Sequence, residues 1–349
     1  MRIILFTNEI KIGGSELVAI LEAEGLVRQN IDVRLIAAKG GQNPTLEAKY
    51  SLEDRIAYCD FPKLRLKNIK KIIEKFKYLV SEVDNFQPDF IHSHGEVPDI
   101  IAIFLRLSVK GHKSIKFLRT VHNERFLSLK YGFVIERFLN IFFDHVITIS
   151  NRTNYLNGSR NNTLIYNPIR IDVSSPNSTN CIELKKFGII GRLTNQKNQI
   201  QFLKELAEYC GPNWQKKILL FGFATSEFPM SEIPPYFHKN IEVRGFEVNL
   251  SKLYDDLDAV IIPSKYEGLS TVMVEALSRN KFVLTKNVSG ASDLGAVSKK
   301  LITFSTISDF CQKIEALHLL EDTSEQLLLS DMFEPRKHVD RLLRLYKKL

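Results

Sequence analysis

Two cations and two carboxylates stand at spacings that suit a phosphorylated ligand. In "IIGRLTNQKNQIQFL" an apolar run ends at Gly191-Arg192, and Lys197 follows where a helix begins. At the carboxyl edge of a buried strand, a fork-shaped guanidinium and an ammonium beside free helix N–H groups suit a diphosphate. The stretch "PSKYEGLSTVMVEAL" places Glu267 on a loop and Glu275 inside the helix that follows. Ser270 or Thr271 caps that helix, so a second anion site lies between the two carboxylates. Carboxylates repel phosphates but accept hydrogen bonds from pairs of sugar hydroxyls. A glutamate on each side of a phosphate site therefore predicts sugar on both sides of a diphosphate, which describes a nucleotide sugar. Exposed surface charges, and a salt bridge from Glu275 to a neighbour, are the alternatives.

Such residues need strand ends to hold them. "RIILFT", "DVRLIAA", "DFIHSH", "SIKFLRTVH" and "HVITIS" are short and rich in Val, Ile and Phe, and amphipathic segments such as 16–29 and 66–80 separate them. The first strand ends at "FTNEIKIGGSE", where Gly13-Gly14 lets backbone approach a ligand at a helix start; an ordinary tight turn is the alternative. It is not the Gly-x-Gly-x-x-Gly dinucleotide fingerprint. After "VSSPNSTN" the rhythm restarts with "KFGIIGR", "KKILLFG", "NIEVRGF", "DAVIIPS", "KFVLT" and "KLITF". The expectation is α/β: two doubly wound parallel-sheet domains over 1–170 and 171–334, with a helix over 335–349 that can cross back to the first. Ligands belong at the carboxyl ends of the strands and between the domains.

A chain of 349 residues exceeds what one core usually serves, and 44% hydrophobic with 25% charged residues excludes a disordered or collagen-like protein. No apolar run reaches the length of a membrane span, and "MRIILFTNEI" enters a strand without a cleavage pattern, so a cytoplasmic chain is expected. Four dispersed cysteines fit buried thiols in a reducing compartment. Residues 1–170 carry 25 Lys+Arg against 18 Asp+Glu, a balance of +7 within the total of +8. That half should face something anionic. Segment 64–80 reads as a basic amphipathic helix, either a solvated face or a contact with an anionic membrane. Nucleic acid is not expected: no binding motif is present and the cations are scattered. His92 and His94 are expected on opposite faces of their strand, and no cluster with ligand spacing predicts a metal. His122, ending the strand in "TVHN", stands at a ligand-binding edge.

With these residues in view, the second half resembles the retaining glycosyltransferases of family four, which share the GT-B fold of two facing Rossmann-like domains. "GRLTNQKN" is similar to that family's Gly-Arg-Leu…Lys-Asn segment and "PSKYEGLSTVMVEAL" to its Glu-x7-Glu signature. "GGSE", "DFIHSHGE", "RTVHN", "VITIS" and "IYNPI" extend the similarity over nearly the whole chain. The resemblance implies that Arg192 and Lys197 hold the donor diphosphate and Glu275 the ribose hydroxyls. It implies that Glu267, with backbone of Gly268 and Leu269, holds the hydroxyls of the transferred sugar. The N–H groups of Ser270 and Thr271 would meet the distal phosphate, Gly13 and Gly14 would close on it, and His122 would sit beside the reacting sugar. Backbone near Arg244 and Phe246 would line the base. Ser15 stands where the family usually has alanine, and Ser270 where glycine or proline is usual.

The expected activity is transfer of a hexose or N-acetylhexosamine, with retention and without a metal or other cofactor. The donor is a nucleotide sugar, UDP-linked by family habit; the acceptor is a glycan or lipid-linked hydroxyl in bacterial surface polysaccharide assembly. Lipopolysaccharide or capsule is the setting, at the inner face of the plasma membrane. A GT-B epimerase or hydrolase acting on the donor alone is the alternative reaction, and a basic nucleic-acid-binding protein the distant one.

Overall fold

In the computed structural model the chain divides into two compact units, Met1–Arg170 with Phe333–Leu349, and Ile171–Met332. The structure describes residues 1–11, 14–62, 68–109, 114–122, 132–157, 161–171, 184–247, 249–317 and 324–349. Gly13, which the sequence assigns to the site, lies outside them, as do Cys181 and the start of the 64–80 segment.

Unit 1 is built on strands β1 (Arg2–Thr7), β2 (Asp32–Ala37), β3 (Ile56–Tyr58), β4 (Phe90–His94), β5 (Lys116–Val121), β6 (His145–Thr148) and β7 (Asn162–Leu164). Its helices are α1 (Gly14–Arg28), α2 (Pro44–Lys49), α3 (Ile69–Phe86), α4 (Glu96–Ser108), α5 (Gly132–Asn140) and α6 (Asn151–Asn157). The strands form one parallel sheet in the order β3-β2-β1-β4-β5-β6-β7. Buried on both faces, they read as continuous apolar runs rather than alternating ones. Three-residue strands such as β3 and β7 are too short to carry a period, and the sequence does not announce them.

Unit 2 contains β8 (Lys186–Ile190), β9 (Lys217–Phe221), β10 (Ile241–Gly245), β11 (Ala259–Ile262), β12 (Phe282–Thr285) and β13 (Leu301–Thr303). Helices α7 (Gln199–Cys210), α8 (Leu250–Asp255), α9 (Thr271–Ser278), α10 (Ala291–Gly295), α11 (Ile307–Ala316) and α12 (Ser324–Phe333) follow, and α13 (Pro335–Lys348) ends the chain. The sheet order is β10-β9-β8-β11-β12-β13, again parallel. Its core gathers Phe187, Phe202, Ile218, Phe237, Ile261 and Phe310, with Phe202 edge-on to Phe310 at 5.3 Å. Cys59 and Cys311 are buried, and Cys210 Sγ lies 3.6 Å from Cys311 Sγ where α7 meets α11.

Both sheets reverse strand order once, between β1 and β4 and between β8 and β11. At such switch points adjacent loops leave in opposite directions and open a crevice at the carboxyl edge. Helix α13 returns to unit 1, where Val339, Leu342, Leu345 and Tyr346 pack under the sheet against α1. The two helices meet at Gly25, where a Cβ would run into Val339.

Candidate active site

In unit 2 the two motifs leave neighbouring strands, since Ala259 of β11 pairs with Phe187 of β8. After β8 the chain turns at Gly191 with φ +139°. A Cβ on Gly222, at the end of β9, would lie 2.9 Å from the Gly191 backbone, so these strand ends approach more closely than side chains permit. Loop 192–198 is then stitched to the loop after β11. Gln196 Nε2 donates to the Tyr266 carbonyl at 3.0 Å, the Lys265 N–H donates to the Gln196 carbonyl at 2.8 Å, and Asn198 Nδ2 reaches the Pro263 carbonyl at 3.3 Å. Gln199 Nε2 fixes the start of the loop through the Arg192 carbonyl at 2.8 Å.

This stitching sets Lys197 Nζ 2.7 Å from Oε1 of the buried Glu267. The guanidinium of Arg192 is exposed and has no protein partner among the described residues. Gly268 and Leu269 lie against Gly290 (φ +81°), whose missing side chain leaves room for them: a Cβ there would fall 2.7 Å from Leu269 Cδ1. Ser270 is the extended residue before α9 and makes no side-chain cap. The first N–H groups of α9, at Thr271 and Val272, are therefore left for a ligand, as in any uncapped helix start. Lys197, Gln199, Ser264 and Ser270 border one small hollow, and Gln199 Oε1 and Ser264 Oγ are buried there without partners among the described residues. Cations, helix N-terminus and unsatisfied polar atoms thus gather at the switch point, an arrangement fit to hold an anion.

Glu275, in the second turn of α9, accepts a 2.8 Å hydrogen bond from the buried hydroxyl of Tyr254 on α8. Burial pushes its carboxyl above the usual range, opposed by Tyr254 and by Arg279. Arg279 stacks its guanidinium 5.3 Å from the Tyr254 ring centroid. No ion pair to Glu275 is present among the described residues, leaving Oε1 available. Arg244 is occupied by Glu242 at 2.6 Å and by Asp256 at 3.6 Å, while Phe246 stands 72% exposed just beyond β10. Tyr254, Gln196 and Gln199 are not singled out by the sequence: each reads as an ordinary polar or helix-stripe position until the fold brings it to the edge.

In unit 1, Gly14 opens α1 with free space where a side chain would stand. His122 follows β5 and is joined to His94 at the end of β4, Nε2 to Nδ1, at 3.0 Å. The expectation that His92 and His94 face opposite ways is wrong. Successive residues of a strand alternate, so positions two apart share a face, and the two rings lie 4.3 Å apart. Glu22 of α1, His92 and His94 each bring one ligand atom within 4.8 Å of the others, close enough for an ion. Both His92 nitrogens are nevertheless committed, Nδ1 to the Tyr346 hydroxyl at 2.8 Å and Nε2 to Thr120 Oγ1 at 2.7 Å. The group is a hydrogen-bonded core, with His338 of α13 bonded to Glu22 at 2.9 Å.

This core makes unit 1 sensitive to acid. Burial opposes ionisation of Glu22, but the imidazoles of His94, His338 and His92 outweigh it and hold its carboxyl well below the usual range. Burial and the neighbouring imidazoles push His92 down to about 3 and His122 well below its ordinary 6.5. An unfolded chain protonates these histidines near 6.5 and the folded one does not, so stability falls as pH drops below 6.5 toward 3. Glu22 adds a loss below its ordinary 4.5. His92 alone should cost about 2 kcal/mol by about pH 5. Thermal unfolding followed from neutral to that pH should show a midpoint lower by about 5 °C; a flat or rising midpoint contradicts the neutral buried histidines.

Residues 12–172 match the family Glycosyltransferase Family 4, and residues 185–320 match Glycosyl transferases group 1. A Campylobacter jejuni protein named GalNAc-alpha-(1->4)-GalNAc-alpha-(1->3)-diNAcBac-PP-undecaprenol alpha-1,4-N-acetyl-D-galactosaminyltransferase is 24% identical over 287 residues, covering 79% of this chain and 77% of that one. An uncharacterized 42.6 kDa Klebsiella pneumoniae protein in the cps region is 28% identical over 151 residues, a match spanning 42% of this chain but only 37% of that protein. Among solved structures, Anabaena Alr3699/HepE in complex with UDP and glucose superposes with a TM-score of 0.77 over 100% of both chains at 17% identity. The lipopolysaccharide outer core galactosyltransferase WaaB superposes with 0.68 over 100% of both, at 15%. These likenesses give the paired Rossmann-like units the GT-B fold, and with the two family matches they make this chain a glycosyltransferase of the family-four type.

Proposed function

We propose that the protein is a retaining glycosyltransferase that moves a hexose or N-acetylhexosamine from a UDP-sugar to a hydroxyl of a glycan or lipid-linked acceptor. The observation that carries this reading is the meeting of Arg192, the Lys197–Glu267 pair and the uncapped start of α9 at one strand edge. The UDP held by the Anabaena protein and the undecaprenol-linked acceptor in the Campylobacter protein's name agree with the choice of donor and acceptor.

In this mechanism the diphosphate rests on Arg192, Lys197 and the N–H groups at Ser270 and Thr271. Glu275 takes the ribose hydroxyls, Phe246 and the backbone at Arg244 border the base, and Glu267 with Gly268 and Leu269 takes the hydroxyls of the transferred sugar. As the bond from the anomeric carbon to the diphosphate oxygen breaks, charge grows on the leaving group where these donors already point. The acceptor oxygen bonds the anomeric carbon on the same face, and its proton passes to the departing phosphate oxygen. Both glutamates bind hydroxyls, so no covalent glycosyl-enzyme forms. Arg192 and Lys197 supply the charge that a divalent ion would otherwise provide, and the family resemblance assigns His122 to the reacting sugar.

Unit 1 would meet the acceptor at a membrane. Ile69 and Ile73 of α3 are 53% and 50% exposed beside Lys70, Lys71 and Lys77, and Phe104 of α4 is 55% exposed. A cavity of about 870 Å³ opens between these helices, with Phe76, Ile101 and Phe104 in its wall and Lys39 and Lys77 among its residues. No helix among the described residues is long and apolar enough to cross a bilayer. The reading is tested by incubating the chain with a panel of nucleotide sugars and a bacterial lipid-linked glycan in chelator, then assigning the product's anomeric configuration by NMR. Transfer from a UDP-sugar with retention supports it; inversion, free sugar or an isomer formed from the donor alone overturns it.

A further inference from the structure

A buried chain of polar groups runs from α13 through α1 to the carboxyl edges of β4 and β5. His338 Nδ1 lies 2.7 Å from the Tyr166 carbonyl. A carbonyl only accepts, so this nitrogen carries a proton. The other His338 nitrogen lies 2.9 Å from Glu22 Oε1, and Glu22 Oε2 lies 3.1 Å from His94 Nε2. The second approach is off the line of a good hydrogen bond, since both atoms count as unsatisfied. It still fixes the proton, because an imidazole lone pair held 3.1 Å from a carboxylate oxygen would be repelled. A His94 whose one N–H is Nε2 has its lone pair on Nδ1, 3.0 Å from His122 Nε2. His122 must donate there. Its Nδ1 is left as a bare acceptor, buried and without a partner among the described residues.

We infer that Glu22, acting through His94, is a positioning residue that fixes His122 with its Nδ1 lone pair free to accept a hydrogen bond from a substrate hydroxyl. This rests on the reading that His122 faces the reacting sugar. Three further observations point the same way. Thr7 Oγ1 and Asn8 Oδ1, at the end of β1, are also buried and without partners among the described residues. Phe6 pairs with Ser93 and His94 with Thr120, so Thr7, His94 and Thr120 stand abreast at the edge His122 extends. Burial keeps His122 neutral, so it carries a single ring proton whose place the neighbouring groups decide. His338 and Tyr346 tie this arrangement to α13, the last element of the chain.

The test is a ¹⁵N-histidine spectrum of the full chain at neutral pH, with His122 assigned from its loss in His122→Gln. The wild type should show His122 protonated at Nε2 alone. In Glu22→Leu nothing holds the proton on His94 Nε2, so part of it moves to Nδ1 and His122 becomes a mixture of tautomers. kcat should then fall about 10- to 100-fold, as for supporting partners of metal-bound histidines, with the donor KM little changed. Protonation of His122 at Nδ1 in the wild type overturns the inference and needs no variant to fold. So does a Glu22→Leu protein with unchanged tautomer and kcat. Full activity in His122→Ala would instead overturn the placement of His122 at the sugar, while the tautomer chain stood.

Discussion

Lys197→Ala and Arg192→Ala each lower kcat by about 10²- to 10³-fold, the usual loss when one preorganised donor to a developing anion is removed. Lys197 should be the more damaging. It faces the growing diphosphate charge and also neutralises Glu267, which is buried at 7% exposure. Without the ammonium, that carboxylate stands uncompensated beside the phosphates, where it repels them or takes up a proton. Lys197→Ala with Glu267→Gln should therefore recover part of the loss, and the two changes should couple by about 1 kcal/mol or more. Arg192 is exposed and has no partner among the described residues, so its replacement should leave the melting temperature within a few degrees of wild type. Steady-state rates with saturating acceptor decide the matter. Less than a threefold change in either variant would place the diphosphate elsewhere.

Tyr346→Ala destabilises unit 1 by about 3–5 kcal/mol, the range for removing a fully packed aromatic ring. Tyr346 is 2% exposed, tilts against Phe90 with centroids 4.8 Å apart, and donates to or accepts from His92 Nδ1 at 2.8 Å. Its neighbours on the same helix face, Val339, Leu342 and Leu345, sit in the core of a sheet whose strands lie more than 160 positions earlier in the chain. Tyr346→Phe keeps the ring and leaves His92 Nδ1 buried without a partner, at a cost of about 1–3 kcal/mol. Urea unfolding of both variants separates ring from hydroxyl. Equal losses would mean that packing contributes little, against the burial seen here.

The parallel α/β architecture is legible because each buried strand is a dense run of Val, Ile and Phe, bounded by polar loops. The donor motifs are legible because each keeps its chemistry within one strand–loop–helix step, so Arg192 with Lys197 and Glu267 with Glu275 are related by local spacing alone. What brings the two motifs together is not written locally: it depends on β8 pairing with β11, some 70 positions away. The histidine core was illegible for the same reason, since Glu22, His94, His122 and His338 come from four elements. His92 and His94 depart from the expected opposite faces because the strand period puts positions two apart on the same side. Tyr254 gives no signal because a tyrosine in a helix stripe looks like core until its hydroxyl meets Glu275.

The central claim is that the carboxyl edge of β8 and β11 binds a nucleoside diphosphate through protein cations and helix N–H groups. Calorimetric titration with UDP, GDP, ADP and CMP in chelator, on the wild type and on Arg192→Ala, tests it most directly. Selective binding of UDP in the micromolar range, weakened at least tenfold in Arg192→Ala, is the predicted result. Absence of binding to every nucleotide, or binding that Arg192→Ala leaves unchanged, would contradict it.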